Sequence, residues 1–316
     1  MDKILVLGAS GQVGIDLTIR LIEIFGNHRV IAADLKEPEE EVGCKFVQLD
    51  ATDKDSLLSL VKREKISEVY HLVAMLSATA EKFPIKGWQL NMDTLFQVLE
   101  MARQGLVKKI FWPSSIAVFG PTTPKEHTPQ HTIVEPATIY GISKYAGELL
   151  CQWYYINHKV DVRSVRYPGI VSWKAEPGGG TTDYAVEIFY QAVKDGKYES
   201  FLNPDTELPM MYIDDAINAT ITLMQAPAHS INIRTSYNLS AISFTPAQLA
   251  RAIKKHLPSF TIEYKPDYRQ QIADSWPKSI DDAEARKDWG WSHQFDLDKM
   301  VSEMLFQITK KLKKTV

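Results

Sequence analysis

Two residues of this chain, Tyr140 and Lys144, have the spacing expected of a proton-transfer pair. They lie in the segment Tyr140-Gly-Ile-Ser-Lys144, at the start of a predicted helix, where residues four positions apart share one face. A phenol is a poor base at neutral pH, but a fixed ammonium one turn away favours the phenolate. The spacing therefore indicates acid–base chemistry, although an ordinary exposed pair on a helix has the same pattern.

A third candidate, Ser115, ends a predicted buried strand and precedes Tyr140 by twenty-five residues. The carboxyl ends of parallel strands meet at one edge of a sheet, where ligands of α/β proteins bind. A serine hydroxyl at that edge can hold a substrate hydroxyl or carbonyl beside the phenol. The three residues together predict proton transfer to or from an oxygen-bearing substrate.

Three glycines, Gly8, Gly11 and Gly14, follow the first predicted strand and open the first predicted helix in a GxxGxxG pattern. Glycine there permits a tight turn, a close approach of the backbone to a pyrophosphate, and close packing of the helix on the strand. The helix N-terminus adds free N–H groups and a partial positive charge. The pattern therefore predicts a dinucleotide site.

Asp34 ends the second predicted strand, twenty positions after Gly14. A carboxylate there accepts both ribose hydroxyls of NAD and repels the 2′-phosphate of NADP. Lys36 is the one nearby residue that could offset this repulsion, because no arginine follows at once. The predicted cofactor is therefore NAD. Asp50, after the third predicted strand, is compatible with two roles, an adenine contact or a helix cap.

These residues belong to a chain whose first half alternates predicted strands with predicted helices. The strands cover residues 3–7, 28–33, 45–49, 68–74, 108–112 and 161–166, and the helices cover 12–25, 53–62, 87–103 and 138–157. Such alternation implies right-handed βαβ crossovers and a parallel sheet covered on both faces. The expected fold class is α/β, with a Rossmann-type doubly wound parallel sheet and a smaller, mostly C-terminal substrate-binding lobe.

The alternation of strands and helices breaks after Pro168. A glycine-rich loop covers residues 177–182, Asp183 is expected to cap a helix that runs to 192, and helices dominate 241–316. We therefore predict a NAD-binding domain of residues 1–169 plus about 213–240. The substrate-binding lobe is expected to cover about 170–212 and 241–316.

The composition restricts the class of protein. The 316 residues are 45% hydrophobic and 24% charged, which is typical of a globular chain. No run approaches the ~18 apolar residues of a membrane span. A formal net charge of −3 argues against a nucleic-acid partner, and two cysteines are too few for a disulfide-stapled fold or a Cys-rich zinc site. We expect a cytoplasmic protein with no metal, nucleic-acid or membrane partner.

Taken in order, the glycine pattern, the strand-end serine and the YxxxK segment resemble the extended short-chain dehydrogenase/reductases, the nucleotide-sugar-epimerase-like family. Asn91 matches that family's structural asparagine, although a surface amide on a helix would look the same. Three segments of the second half, 166–170, 179–189 and 269–277, narrow the resemblance to the short-chain L-threonine 3-dehydrogenases. The resemblance covers essentially the whole chain.

This resemblance implies NAD-dependent oxidation of L-threonine at its β-carbon to 2-amino-3-oxobutyrate. Tyr140 would take the hydroxyl proton, Ser115 would orient the oxygen, and Lys144 would bind the ribose and lower the pKa of the phenol. A homodimer is implied through the helices at 87–103 and 138–157. The predicted cofactor contacts are Gly8, Ser10, Gly11, Gln12, Val13, Gly14, Asp34, Asp50, Ala51, Leu72, Ala74, Asn91, Tyr140, Lys144, Tyr167 and Ile170.

The carboxylate of such a substrate needs neutral donors, because no arginine lies in the candidate loops. Backbone N–H groups of residues 179–182 and the hydroxyls of Thr181 and Thr182 would suit it. Capping of the next helix is the alternative role for either threonine. Trp276 either closes the pocket or anchors the core. The predicted substrate contacts are Ser77, Ser115, Tyr140, Gly180, Thr181, Thr182 and Trp276.

Two competing hypotheses concern the same scaffold. A 4,6-dehydratase needs an acid/base pair directly after the serine, where this chain has Ile116 and Ala117. A nucleotide-sugar epimerase needs a basic and aromatic grip on a diphosphate, which the uncharged loop at 177–182 lacks. A non-catalytic NAD(P)-sensing module would lack the tyrosine–lysine pair, which this chain keeps.

Overall fold

The computed structural model describes residues 2–38, 42–174 and 180–314. The strands formed by these residues are β1 (Lys3–Leu7), β2 (Val30–Asp34), β3 (Lys45–Gln48), β4 (Ile66–His71), β5 (Lys109–Phe111), β6 (Ser114–Ser115), β7 (Asp161–Arg163), β8 (Val165–Tyr167), β9 (Gly169–Val171), β10 (Lys197–Ser200), β11 (Leu208–Tyr212), β12 (Tyr237–Asn238), β13 (Ile242–Phe244) and β14 (Thr261–Tyr264). The helices are α1 (Gln12–Phe25), α2 (Lys54–Glu64), α3 (Ser77–Lys82), α4 (Pro84–Arg103), α5 (Ile139–His158), α6 (Tyr184–Asp195), α7 (Ile213–Gln225), α8 (Pro246–Lys254), α9 (Arg269–Asp274), α10 (Ala283–Trp289) and α11 (Leu297–Lys314).

Six parallel strands form the central sheet, in the order β3-β2-β1-β4-β5-β7. β1 pairs with β2 on one side and with β4 on the other, so the strand order reverses between β1 and β4. At such a switch point the loops that leave the two strands diverge and open a crevice at their carboxyl ends. The predicted α/β class and the Rossmann-type sheet are confirmed.

Alternate residues of β1 face opposite sides of the sheet, as the period of a strand requires. Ile4 and Val6 belong to one buried apolar cluster, and Leu5 and Leu7 belong to another, which α2, α4 and α5 cover. The first cluster continues through α1 and α7 to Ile308 of the last helix. The apolar core is therefore continuous across the predicted domain boundaries. The division into two domains stays a prediction.

Three smaller sheets extend from the central sheet toward the C-terminal helices, in the orders β12-β8-β6, β13-β11-β9 and β10-β14. In the first of them Ser115 pairs with Tyr167. In the second, Ile170 of β9 pairs with Met211 of β11. These pairings hold Ser115, Tyr167 and Ile170 beside the carboxyl edge of the central sheet.

Five of the six predicted strands have different bounds in the structure, and three of them differ by more than one residue at an end. The strand expected at 28–33 begins at Val30, because Asn27–Arg29 form a 3₁₀ turn. The strand expected at 68–74 spans Ile66–His71, so the loop that follows it begins at Leu72. The strand expected at 161–166 is two strands, because the chain passes at Ser164 from the central sheet to the sheet of β6 and β12.

Asp183 lies at the predicted N-cap position, directly before α6, but a side-chain cap is not formed. Asp183 has helical backbone angles, and its side chain makes no cap hydrogen bond to α6. Its carboxylate instead accepts the N–H of Gly180 at 2.7 Å, which folds the preceding loop back onto the helix start.

No helix of the described residues combines the length and the apolarity needed to cross a lipid bilayer. Within the same residues there is no group of three or more His, Cys, Asp or Glu side chains that could hold a metal ion. Cys44 and Cys151 are free thiols.

Candidate active site

A cleft opens at the carboxyl edge of the central sheet, at the switch point between β1 and β4. The start of α1 and the loop after β4 form one side, and β6 with the start of α5 forms another. All seven predicted substrate contacts line it. Eight predicted cofactor contacts also line the cleft: Tyr140, Lys144, Gln12, Val13, Leu72, Ala74, Tyr167 and Ile170.

The start of α5 places Tyr140 beside Ser115. Thr138 caps the helix, because its hydroxyl accepts the N–H of Gly141 at 3.0 Å. A Cβ atom on Gly141 would lie 2.1 Å from the carbonyl oxygen of Ala117, so the helix packs directly on the turn that follows Ser115. Glycine alone permits this approach, which brings the phenol of Tyr140 close to the hydroxyl of Ser115 in the same cleft.

Lys144 is buried one helical turn from Tyr140, with 3% of its surface exposed. Its ammonium donates a hydrogen bond to the carbonyl oxygen of Pro113 at 2.6 Å and lies 4.5 Å from the centre of the Trp112 ring. Burial lowers the pKa of Lys144 to about 7, although the neighbouring Cys151 and Glu148 oppose this shift. The site therefore holds its cation at a large desolvation cost.

Burial also raises the pKa of Tyr140 to about 12, and the hydrogen bond from Ser115 offsets only part of the rise. The expected lowering of this pKa by Lys144 is thus not achieved by the protein's own residues. The ammonium lies 5.6 Å from the centre of the Tyr140 ring, and desolvation of the phenolate outweighs its attraction. A further positive charge, such as that of an oxidised nicotinamide ring, would favour the phenolate at this position.

The turn between β1 and α1 fits a dinucleotide pyrophosphate. Gly8 has a φ of +83°, a conformation that favours glycine. A Cβ atom on Gly14 would lie 2.1 Å from the carbonyl oxygen of Gly8, so the helix begins directly over the turn. Gly11 offers no side-chain cap, and no acidic residue lies in the first helical turn. The N–H groups and the positive end of the helix dipole are therefore available to an anion.

Asp34 lies beside this turn, at the end of β2. Its carboxylate accepts the N–H of Ser10 at 2.9 Å and the N–H of Leu35 at 2.7 Å. The two hydrogen bonds fix the orientation of the carboxylate while its other lone pairs stay available to ribose hydroxyls. Lys36 is exposed, and no ion pair joins its ammonium to Asp34 among the described residues.

Asp50 and Ala51 lie at the far end of the predicted cofactor site, outside the cleft lining. Asp50 is exposed, and its carboxylate accepts the N–H and the hydroxyl of Thr52 at 2.9 and 2.7 Å. The cap of α2 is Asp53, so the alternative role of Asp50 as that cap is not observed. Its contact with an adenine, like that of the buried Ala51, stays a prediction.

Asn91 is buried behind the cleft. Its side-chain oxygen accepts the N–H of Met75 at 2.8 Å, and its amide donates to the Met75 carbonyl and to the Ser143 hydroxyl. The side chain therefore joins the loop after β4 to the catalytic helix α5. A direct contact of Asn91 with the cofactor stays a prediction.

On the substrate side, Ser77 begins α3 and is 4% exposed. Thr181 is 1% exposed, and its hydroxyl has no hydrogen-bond partner among the residues that the structure describes. A buried hydroxyl without a partner carries a free-energy cost that a polar ligand group removes. Trp276 is 6% exposed and belongs both to the cleft lining and to the apolar core. Its contact with a substrate stays a prediction.

The backbone donors expected for a substrate carboxylate are only partly available. The N–H of Gly180 is taken by Asp183, and Gly179 lies outside the described residues. No side chain caps α6, so the alternative role of the threonines as its cap is not observed. Thr181 and Thr182 are the donors that remain on this side of the cleft.

Sequence reasoning missed several residues that line the cleft. Ser114 and Ile116 flank Ser115 and could have been found from it, because both lie at the same strand end. Asp183 directly follows the two threonines and is the one carboxylate among the described lining residues. A carboxylate directly before a helix has the pattern of a cap, and this pattern does not indicate a position at the cleft.

Known proteins are similar to this chain over most of its length. Residues 4–239 match the NAD dependent epimerase/dehydratase family. A curated relative, an uncharacterised epimerase/dehydratase from Staphylococcus haemolyticus, is 48% identical over 315 residues, which cover 98% of this chain and 99% of the relative. The similarity thus includes every element that contributes to the cleft.

Two similar solved structures are L-threonine dehydrogenases. The GalE-like enzyme from Cupriavidus necator, in its holo form, has a TM-score of 0.95 and 55% identity, over 97% of this chain and 99% of that chain. A monomeric L-threonine 3-dehydrogenase from a metagenome database has a TM-score of 0.94 and 51% identity, over 98% of this chain and 99% of that chain.

We expect Asp34→Asn to reduce the preference of the protein for NADH over NADPH by roughly tenfold, or about 1.4 kcal/mol. The substitution removes the charge that repels a 2′-phosphate but keeps an oxygen for the N–H of Ser10 or Leu35. Dissociation constants measured by nucleotide fluorescence provide the test. Asp55→Asn, an exposed carboxylate on α2, is the matched control and should leave the ratio unchanged. Equal affinity of the native protein for both nucleotides would contradict the assignment.

Proposed function

The chain belongs to the NAD dependent epimerase/dehydratase family, and we propose that it oxidises L-threonine at the β-carbon to 2-amino-3-oxobutyrate, with formation of NADH. One observation carries the proposal. The cleft places Tyr140, Ser115 and the unpartnered hydroxyl of Thr181 together, and Lys144 is the one basic side chain among its described lining residues. Such a pocket suits a small zwitterion better than a sugar nucleotide.

In the proposed reaction, bound NAD supplies the hydride acceptor. Ser115 holds the β-hydroxyl of the substrate, and Tyr140 accepts its proton. Lys144 orients the ribose and keeps a positive charge beside the phenol, since the Pro113 carbonyl fixes its ammonium. As the β-carbon loses its hydrogen with both electrons, the hydroxyl loses its proton to Tyr140, and the product is a ketone.

The carboxylate of L-threonine is assigned to the side of the cleft that carries Thr181 and Thr182. The buried Thr181 hydroxyl gains its missing partner from an anionic oxygen, which gives a charge-assisted hydrogen bond. Ser77, from the start of α3, supplies a second buried hydroxyl to the same cleft. Because these donors are neutral, they bind a single carboxylate without attracting a diphosphate.

The competing activities of the scaffold lack their residues. Ile116 and Ala117, which follow Ser115, are 2% and 1% exposed and form an apolar 3₁₀ turn, so dehydration would have no proton carrier there. An epimerase must grip a nucleoside diphosphate, yet the described lining residues after Ile170 include no basic side chain.

We also propose a homodimer, although one similar solved structure is described as monomeric. α4 and α5 pack together and expose apolar side chains on their outer faces. On α5, Leu149, Trp153 and Ile156 follow helical spacing and are 47%, 49% and 56% exposed. On α4, Trp88 and Phe96 are 38% and 41% exposed. A contiguous apolar face of this kind is typical of a protein interface, and a second copy would form a four-helix contact.

We place the protein in the cytoplasm. Both cysteines of the chain are free, and Cys151 is fully buried on α5 next to the charged residues of the site. Unpaired thiols suit a reducing compartment.

The assay that tests the function measures NADH formation with a panel of amino acids and nucleotide sugars. We expect L-threonine to be oxidised ~10–200-fold more efficiently than L-serine, because a methyl group in an apolar pocket contributes ~1–3 kcal/mol. Thr181→Ala should raise the KM for L-threonine and leave the KM for NAD unchanged. Turnover of a nucleotide sugar with no activity on L-threonine would contradict the proposed function.

We expect Tyr140→Phe to lower kcat/KM for threonine oxidation by ~10²–10⁴-fold, because it removes the proton acceptor. In the native protein, kcat/KM should rise with pH, since the deprotonated phenol is the active form, and the variant should lose this rise. NADH binding, followed by fluorescence, is the control and should be retained. Near-native turnover by the variant would rule out the assigned role of Tyr140.

We expect Leu149→Arg to convert a native dimer to a monomer, because it places a charge in the apolar face of α5. Light scattering after size-exclusion chromatography gives the mass of each form. Phe306→Arg is the matched control, because Phe306 is a 60% exposed apolar residue on α11, away from the proposed interface. A monomeric native protein at assay concentration would contradict the homodimer.

A further inference from the structure

Lys125 lies in the segment that joins Ser115 to Tyr140, outside the cleft, and its side chain reaches the segment that carries Trp276. Its ammonium donates hydrogen bonds to the carbonyl oxygens of Ser275, Asp274 and Gly120, at 2.7, 3.2 and 3.3 Å. We propose that Lys125 is a positioning residue that fixes Trp276 as one wall of the L-threonine site, a role that rests on the proposed function. All three donors of an ammonium are thereby used on backbone carbonyls.

Two of these carbonyls lie at the C-terminal end of α9. The N–H groups of Ser275 and Trp276 complete its last turn by donating to Ile272 and Ala273, both at about 3 Å. The carbonyls of Asp274 and Ser275 lie beyond that turn, where a cation stabilises the helix end. Because Trp276 directly follows them, the contact with Lys125 fixes the backbone from which the indole projects.

The backbone of the same two segments is joined without the Lys125 side chain. The N–H of Lys278 donates to the carbonyl of Lys125 at 2.7 Å, and Thr128 and Ile280 form a parallel bridge. These contacts remain when the side chain is replaced. A substitution at Lys125 is therefore expected to change the local position of Trp276 while the segment stays attached.

Trp276 is 6% exposed and lines the cleft together with Ser115 and Thr181. The segment thus begins at Ser115 and ends at Tyr140, and Lys125 in its middle holds the backbone next to Trp276. If Trp276 shifts, the pocket becomes larger. Its contact with the methyl group of L-threonine, which L-serine lacks, then weakens. The cofactor turn between β1 and α1, which includes Gly8, makes no hydrogen bond with the Lys125 ammonium among the described residues and should be unaffected by its loss.

The test is a comparison of Lys125→Met with the native protein in steady-state oxidation of L-threonine and L-serine. We expect the KM for L-threonine to rise about tenfold, as for loss of a charge-assisted contact. The preference for L-threonine over L-serine should fall, and the dissociation constant of NADH should stay within about twofold. Lys125→Arg keeps charged donors and should restore most of the native KM. Lys278→Met, an exposed lysine of the same segment, is the matched control and should behave as native.

A double-mutant cycle with Trp276→Ala separates positioning from general destabilisation. If Lys125 acts through Trp276, Lys125→Met adds little to the KM of a Trp276→Ala protein. Full additivity, an unchanged KM in Lys125→Met, or an equal effect of Lys278→Met would each overturn the proposal. If Lys125→Met fails to bind NADH, Lys125→Gln is measured in its place against the same criteria. A native protein that does not oxidise L-threonine would contradict the proposed function, whereas native activity with an unaltered Lys125→Met contradicts only the role of Lys125.

Discussion

The buried ion pair between Glu148 and Arg166 is the contact on which the site geometry depends. Glu148 is fully buried and Arg166 is 4% exposed, and two hydrogen bonds of 2.9 and 2.7 Å join them. The hydroxyl of Ser114 donates to the same carboxylate at 2.6 Å. Removal of one member of such a buried pair costs roughly 3–5 kcal/mol, because the other charge is left unpaired inside the protein. The pair therefore holds α5, β6 and β8 in one arrangement, with Lys144 one turn before Glu148 and Ser115 next to Ser114.

Burial in the same region disfavours the charged forms of Tyr140 and Lys144. It raises the pKa of Tyr140 to about 12 and lowers that of Lys144 to about 7, so the protein's own residues favour a neutral phenol. A site of this kind becomes a base when a positive charge arrives next to the phenol, as an oxidised nicotinamide would provide. The proposed acid–base function of Tyr140 would thus be coupled to the cofactor through electrostatics, while the proposed contacts of the Ser115 and Thr181 hydroxyls would depend on geometry alone.

The features that could be predicted from the sequence are those with local signals. The bounds of β1 and α1, the glycine turn and the capped start of α5 follow from residues within a few positions of each other. The division of the strand at Ser164 could not be predicted, because it depends on which neighbouring strand each half meets. The hydrogen bond from Lys125 to Ser275 joins residues 150 positions apart in the sequence, so no local pattern predicts it. The raised pKa of Tyr140 arises from burial, which the assembled fold alone determines.

The two faces of α5 explain why its apolar residues do not follow a single stripe. One face is pressed so closely against the sheet that a Cβ atom on Gly147 would lie 2.3 Å from the Trp112 ring, and this contact places Lys144 over the same ring. The other face carries the exposed Leu149, Trp153 and Ile156. Within the chain, α4 also packs on α5, whereas this second apolar face stays exposed. In the proposed dimer the partner of that face would be another copy of α4 and α5, so that subunit contact would hold the catalytic helix from the side opposite to the cleft.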